Sequence, residues 1–307
     1  MEEKKVLTKK KEIIPRDVTI CEATAQMLEK AKRDGVETAF DRAANMKACP
    51  IGADSACCKH CSMGPCRLSS KDPYAKAGVC GATIDTIMAR NFARMVASGS
   101  AAHTDHGMSM LDLFREVVKG NITDYKIKDP NKLKDVATSI GIEVEGREIQ
   151  DIAMDLYEEL ERTYTQVEGE IPFAKRVPEK TLDTWRKLGI VPRGAMREIM
   201  ELMHRTHMGV DQDYKNITTQ INRTALADGW GGSMVATEIS DILFGTPSPV
   251  SVEVNMGVLK EDYVNVIVHG HEPNLFESML VSVNKPALIE EARKAGAVGI
   301  NLSLIHI

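Results

Sequence analysis

No apolar run in this 307-residue chain approaches the roughly 20 residues that a bilayer-spanning helix needs, so no membrane span is expected. The opening residues, MEEKKVLTKKKEIIPRD, lack the apolar core of a secretory signal. Their lysine run reads as a solvated tail. Strong charge of one sign is also missing: the formal net charge is -5, which gives no reason to expect a nucleic-acid partner. Without an export signal the expected compartment is the reducing cytoplasm, where disulfides poorly explain clustered cysteines. Composition is otherwise that of an ordinary globular protein, with 43% hydrophobic, 27% charged and 5% aromatic residues. The length suffices for two domains.

Against this plain background, six of the seven cysteines fall between Cys49 and Cys80, in the pattern C-x7-C-C-x2-C-x4-C-x13-C. Turn formers separate them (Pro50, Gly52, Gly64, Pro65, Pro73, Gly78), so the stretch reads as loop wrapped around a ligand. Structural zinc usually takes two C-x2-C knuckles, and only one is present, Cys58-x2-Cys61. Iron–sulfur clusters accept more varied spacings and are the favoured reading, with zinc the alternative. Cys57 and Cys58 are adjacent, so their side chains tend to point apart. The economical partition assigns Cys58, Cys61, Cys66 and Cys80 to one four-iron cluster. Cys49 and Cys57 remain, and two ligands become four if a two-fold dimer shares the site. Cys21, far from the group, reads as a small buried residue.

The rest of the chain is mostly helical in pattern up to a Gly/Pro-rich break ending near Pro249. A helical stripe is expected in residues 18–47 (Ile20, Ala23, Met27, Leu28, Ala31), with a break at Gly35. A long helical stretch is expected over 83–119, with possible interruptions at Gly99 and Gly107. Within it, His103 and His106 stand three apart and therefore share a face. Further helices are expected over 148–164 and 179–188. In the next helical pattern Met196, Ile199, Met200 and Met203 read as core, and His204 and His207 as polar surface. DGWGGS reads as a glycine-rich turn. Beyond it, YVNVIV (263–268), two helices and AVGINL (297–302) form a βαβ pattern, the start of a parallel sheet. His269 and His271 follow its first strand, where such sheets place ligands. One βαβ unit leaves a sheet unfinished, so the expected chain is a fragment of a longer protein. The expected fold class is mixed: an all-helical domain over 1–247 carrying the cysteine loop (49–80), then an incomplete α/β domain over 248–307.

The runs CCKHCSMGPCRL, GVCGATIDTIMARNFARMVASGSAAHTDHG, GVD, DGWGGSMVATEISDILFGTPSP and VIVHGHEP resemble the anaerobic nickel–iron–sulfur carbon monoxide dehydrogenases, within the hybrid-cluster (prismane-like) superfamily. The resemblance covers roughly residues 40 to 302. It implies a helical domain followed by Rossmann-like domains, and the oxidation of CO with water to CO2, two protons and two electrons. It matches Cys49 and Cys57 to a 4Fe–4S cluster shared between two subunits of a homodimer. It matches Cys58, Cys61, Cys66 and Cys80 to a 4Fe–4S relay cluster in each subunit. It matches His271 to a ligand of the unique iron of the nickel–iron–sulfur centre, with His269 the fallback. His103 matches the proton-handling histidine and His106 the next in its relay; Ser109 and Asp112 stand where many members carry further histidines. Ferredoxin is the implied electron acceptor and an acetyl-CoA synthase subunit a possible partner. Where the family continues from GINL into glycine and a cysteine pair, this chain has Ser303 to Ile307, so most active-centre ligands are expected to be missing and the fragment inactive alone. Two other readings stand beside this one. They are a hydroxylamine-reductase-like hybrid-cluster protein, disfavoured by the Cys57–Cys58 pair and HTDHG, and an electron-transfer or dimerisation module without catalysis.

Overall fold

A computed structural model describes residues 12–47, 49–69, 71–72, 75–247, 260–269 and 273–305. The first four helices are short: α1 (Pro15–Val18), α2 (Glu22–Arg33), α3 (Ala39–Asn45) and α4 (Pro50–Ala53). Of their residues only Pro15 and Ala25 are buried. Of the stripe expected over 18–47, Ile20, Ala23 and Met27 are exposed, and Leu28 and Ala31 are half-buried. The break at Gly35 is present, at a positive φ of 71°. Cys21 is not buried either: it precedes α2 at the N-cap position and is exposed. After α4 comes a minimal antiparallel hairpin, β1 (Cys57–Cys58) against β2 (Cys66–Arg67).

One element then organises the helical part. Helix α5 (Ile84–Val118) runs 35 residues without a break, about 52 Å at 1.5 Å per residue. Thr83 caps it by accepting from the Thr86 N–H. Gly99 and Gly107 do not interrupt it, because packing outweighs the roughly 1 kcal/mol propensity cost of each glycine. The first half of α5 presents small residues, Ala93 and Ala97, to Leu202, Ile217 and Ile221 of α9 (Ala195–Arg205) and α10 (Tyr214–Ala227), once α6 (Pro130–Ser139), α7 (Ile149–Thr165) and α8 (Glu179–Leu188) have passed. The second half presents large ones. Met110, Leu111 and Phe114 join Leu133 of α6, Ile152, Leu156 and Leu160 of α7, and Ile239, Ile242 and Leu243 of α11 (Met234–Phe244) in the main core. Each fully buried side chain of this kind is worth about 1.5–3 kcal/mol.

Two sequence readings change here. DGWGGS is not a turn: Asp228–Ser233 is a π-helical segment that joins α10 to α11 without a break. The methionines of α9 are not core: Met196, Met200 and Met203 are exposed, and the inward face carries Ala195, Glu198 and Leu202. Apolarity misidentifies this inward face because Glu198 is buried with full partners, accepting from Arg193 and Gln220.

The final part is α/β. Strand β3 (Tyr263–His269) pairs in parallel with β4 (Gly299–Ile305), and α12 (Pro273–Val283) and α13 (Pro286–Lys294) lie between them in sequence. This is the expected βαβ order; β4 runs through Ser303 and Leu304, beyond the expected end. The boundary expected at 247/248 adjoins residues 248–259, outside the described residues. Among the described residues no helix is long and apolar enough to cross a membrane.

The π segment crosses α5 at minimal distance. A Cβ on Gly232 would lie 2.8 Å from the His103 carbonyl carbon and from the Thr104 nitrogen, both backbone atoms that cannot swing away. Gly99, also in α5, has nothing within 4 Å of such a Cβ. Gly232→Ala is therefore expected to destabilise the protein by about 1–3 kcal/mol. Gly99→Ala should instead stabilise it by about 0.5–1 kcal/mol. Anaerobic thermal unfolding of the pair reads both signs in one experiment.

Candidate metal centre and proton site

The hairpin decides which way the cysteines face. Successive residues of a strand point to opposite sides, so Cys57 and Cys58 cannot serve one site. Cys58 pairs across the ladder with Cys66, and the two share a face. Cys58 is buried and packs with Ala56, Leu68, Ala82 and Ile87. Cys58, Cys61, Cys66 and Cys80 all line one cavity, together with His60 and Arg90. Cys49 and Cys57 are not part of that lining: Cys49 is exposed at the start of α4 and Cys57 is half-buried. Four of the six cysteines thus line the cavity, and Cys49 and Cys57 do not.

Four thiols on one lining are a donor set that a four-iron cluster can use. Among the described residues no three metal-binding side chains close to the spacing of one ion. Thiolates of a 4Fe–4S cluster each bind a different iron and stand further apart than those around zinc. The backbone also turns a donor towards one of these sulfurs, a partner that would orient it as a ligand. The Val79 N–H points at the Cys66 Sγ at 3.5 Å. Gly78 lies against the same sulfur, where an added Cβ would sit 3.6 Å from it.

Helix α5 holds the loop in place. The Asn91 side-chain amide donates to the carbonyls of Ser55 and Cys57, at 2.9 and 3.2 Å, and its oxygen accepts from His60 Nε2 at 2.8 Å. Gln212 donates to the Cys80 carbonyl at 2.8 Å, and its own carbonyl accepts from Thr86. Arg90 donates to the Cys80 Sγ at 3.6 Å and to the Asp211 carbonyl at 2.6 Å. Burial pushes the Cys80 thiol up, but hydrogen bonds from Arg90, the Ala82 backbone and Gln212 outweigh it and bring it down to about 7. Burial also lowers the His60 imidazole, partly offset by Asn91.

Further along α5, His103 and His106 share a face as expected. His103 is half-buried, and its Nδ1 lies 2.7 Å from the Asp228 Oδ1. His106 is buried. A carboxylate on Nδ1 favours the tautomer whose proton sits there, leaving Nε2 as the acceptor. Asp228 opens the π segment, and the close crossing at Gly232 is what brings it to His103. His204 and His207 lie on the surface as expected. His269 ends β3, and His271 is outside the described residues. Sequence reasoning missed Asp228, Arg90, Asn91 and His60. Only Asp228 carried a signal, as the acidic residue heading a glycine-rich run in a helical context, where π segments mark functional positions.

A helical bundle with a four-cysteine cavity and a histidine–carboxylate pair defines the class of metal-cluster protein. The Prismane/CO dehydrogenase family model matches residues 56–305, and the chain belongs to that family. It is 47% identical over 92% of its length to carbon monoxide dehydrogenase 1 of Methanosarcina mazei, and covers 45% of that protein. It is 41% identical to the carbon monoxide dehydrogenase/acetyl-CoA synthase subunit beta of Moorella thermoacetica, over 94% of this chain and 43% of that one. A crystal structure of carbon monoxide dehydrogenase from Thermococcus sp. AM4 superposes with a TM-score of 0.88 at 41% identity, over 96% of this chain and 47% of that one. The chain therefore spans somewhat under half the length of these relatives.

The lowered Cys80 thiol has a direct readout. In the metal-free chain, iodoacetamide alkylation of Cys80 is expected to be half-maximal near pH 7 and to fall as the thiolate is protonated below it. Peptide mass spectrometry across a pH series follows each cysteine separately. A midpoint near the usual 8.5 would contradict the hydrogen-bonded sulfur.

Proposed function

We propose that this chain is the cluster-bearing helical part of a nickel–iron–sulfur carbon monoxide dehydrogenase, with the start of a Rossmann-like domain beyond residue 247. The complete protein would catalyse CO + H2O → CO2 + 2 H+ + 2 e−. The observation that carries the reading is the convergence of Cys58, Cys61, Cys66 and Cys80 on one cavity while Cys49 and Cys57 stay outside it. The four would hold a 4Fe–4S relay cluster. The two would share a second 4Fe–4S cluster with the same pair of a second copy, across a homodimer axis. Relatives named as carbon monoxide dehydrogenases favour this over the hydroxylamine-reductase-like alternative.

When bound, a nickel–iron–sulfur centre supplies Lewis-acid sites that activate CO and water. The chain's own residues handle the protons. His103, held by Asp228 at Nδ1, offers Nε2 as the general base. His106 stands three residues along the same helix as the next candidate acceptor. His271 would ligate the unique iron. Ferredoxin would take the electrons, in the cytoplasm. An acetyl-CoA synthase partner is supported by the subunit beta relative and by a solved acetyl-CoA synthase/carbon monoxide dehydrogenase with nickel-containing Fe4S4 clusters in its alpha subunits.

Anaerobic purification of this chain with iron, sulfide and native-mass analysis tests the cluster assignment. About six irons per chain in a dimer are expected, four in the relay cluster and half of a shared four. Zinc in place of iron would sink the reading, and a monomer with four irons would sink the shared cluster alone. In the complete protein, His103→Ala should lower the turnover of CO oxidation by about 100- to 10,000-fold with iron content unchanged. Asp228→Asn should lower it too, through loss of the tautomer that the carboxylate selects. Viologen reduction under CO measures both.

A further inference from the structure

We infer that Arg90 is the buried counter-ion of the cluster held by Cys58, Cys61, Cys66 and Cys80, and that its charge raises the reduction potential of that cluster. The inference rests on the relay cluster proposed above. Arg90 is 1% exposed and is the largest fully buried side chain of the described protein. A buried cation is costly unless a negative charge compensates it. Yet Arg90 forms no ion pair with a carboxylate among the described residues. Its Nη2 donates to a neutral acceptor, the Asp211 carbonyl. The Asp211 carboxylate is instead engaged by Arg205, at 2.8 Å. The Arg90 Nε has no acceptor within hydrogen-bonding distance. Among the described residues its one other side-chain hydrogen bond runs from Nη1 to the Cys80 Sγ. A guanidinium so placed has its compensating charge in the thiolates and the cluster they carry.

Among the described residues no carboxylate lines the cavity, and that of Asp211, whose carbonyl Arg90 reaches, is held by Arg205. The other side chains placed around the cavity with titratable character are His60 and the cysteines themselves, and Arg94, one turn along α5, adds a second cation whose Nε donates to Thr206. Reduction delivers one electron to the cluster, without a bond made or broken, from the CO oxidation proposed above. It adds negative charge beside a fixed positive one in a low-dielectric pocket, so the cation favours the reduced state. Arg90 is a positioning residue in this sense: it touches a ligand sulfur and tunes the cluster without reacting.

EPR-monitored redox titration of the anaerobically purified chain tests this, with the relay signal identified as the one that Cys61→Ser removes. Arg90→Gln removes the charge but keeps an amide donor. It is expected to lower the equilibrium constant for reduction at least tenfold, a midpoint about 59 mV more negative for a one-electron couple. Arg90→Lys keeps the charge and should shift it less than threefold. Should the glutamine variant fail to hold iron while the lysine variant holds it, the counter-ion role is supported by assembly in place of potential. An unchanged midpoint in a fully loaded Arg90→Gln, equal shifts in both variants, or loss of iron from both would overturn the inference. A wild-type chain without a cysteine-dependent cluster signal would overturn instead the relay reading beneath it.

Discussion

The contact on which the proton site depends is backbone against backbone. Gly232 lies on α5 at His103 and Thr104 with no room for a methyl group, and Gly107, one turn further, faces the Gly232 carbonyl and the Tyr164 hydroxyl. Paired glycines let the π segment cross α5 more closely than side chains would permit. The widened π turn then sets Asp228 opposite His103. Remove that closeness and the histidine remains in its helix, but nothing selects its tautomer.

The same two helical rods serve the cysteine cavity. Arg90 and Asn91 lie on α5, about 20 Å before His103 along its axis. Gln212 and Asp211 lie just ahead of α10, whose far end runs into Asp228. Each rod therefore touches the cavity near one end and the proton site further along. The spacing between the sites is set by helical rise, the least compliant ruler a protein has. The small-residue seam of Ala93 and Ala97 against Ile217 and Ile221 keeps the rods in close contact between the two sites.

What was legible in the sequence follows from where each property is encoded. That the adjacent Cys57 and Cys58 face apart, only one of them lining the cavity, was readable because adjacency is a local rule. The βαβ order at the end was readable for the same reason. The continuity of α5 through Gly99 and Gly107 was not, since local propensity votes against it and tertiary packing decides. The exposed methionines of α9 misled because the inward position is held by Glu198, whose partners are Arg193 just ahead of the helix and Gln220 on α10. Asp228 meets His103 across 125 residues, and no spacing rule connects them. Arg90 looks like any arginine on a helix until its burial is seen.

The hairpin has one more consequence, for the order of events in the cell. Cys58 and Cys66 are direct cross-strand partners at a hydrogen-bonded position, which places their Cα atoms about 5.5 Å apart. That separation is also one a disulfide spans comfortably. A geometry suited to two corners of a cluster is thus equally suited to its destruction. If the hairpin carries the cluster proposed for it, iron and sulfide would have to reach the folded loop before an oxidant joins the two thiols.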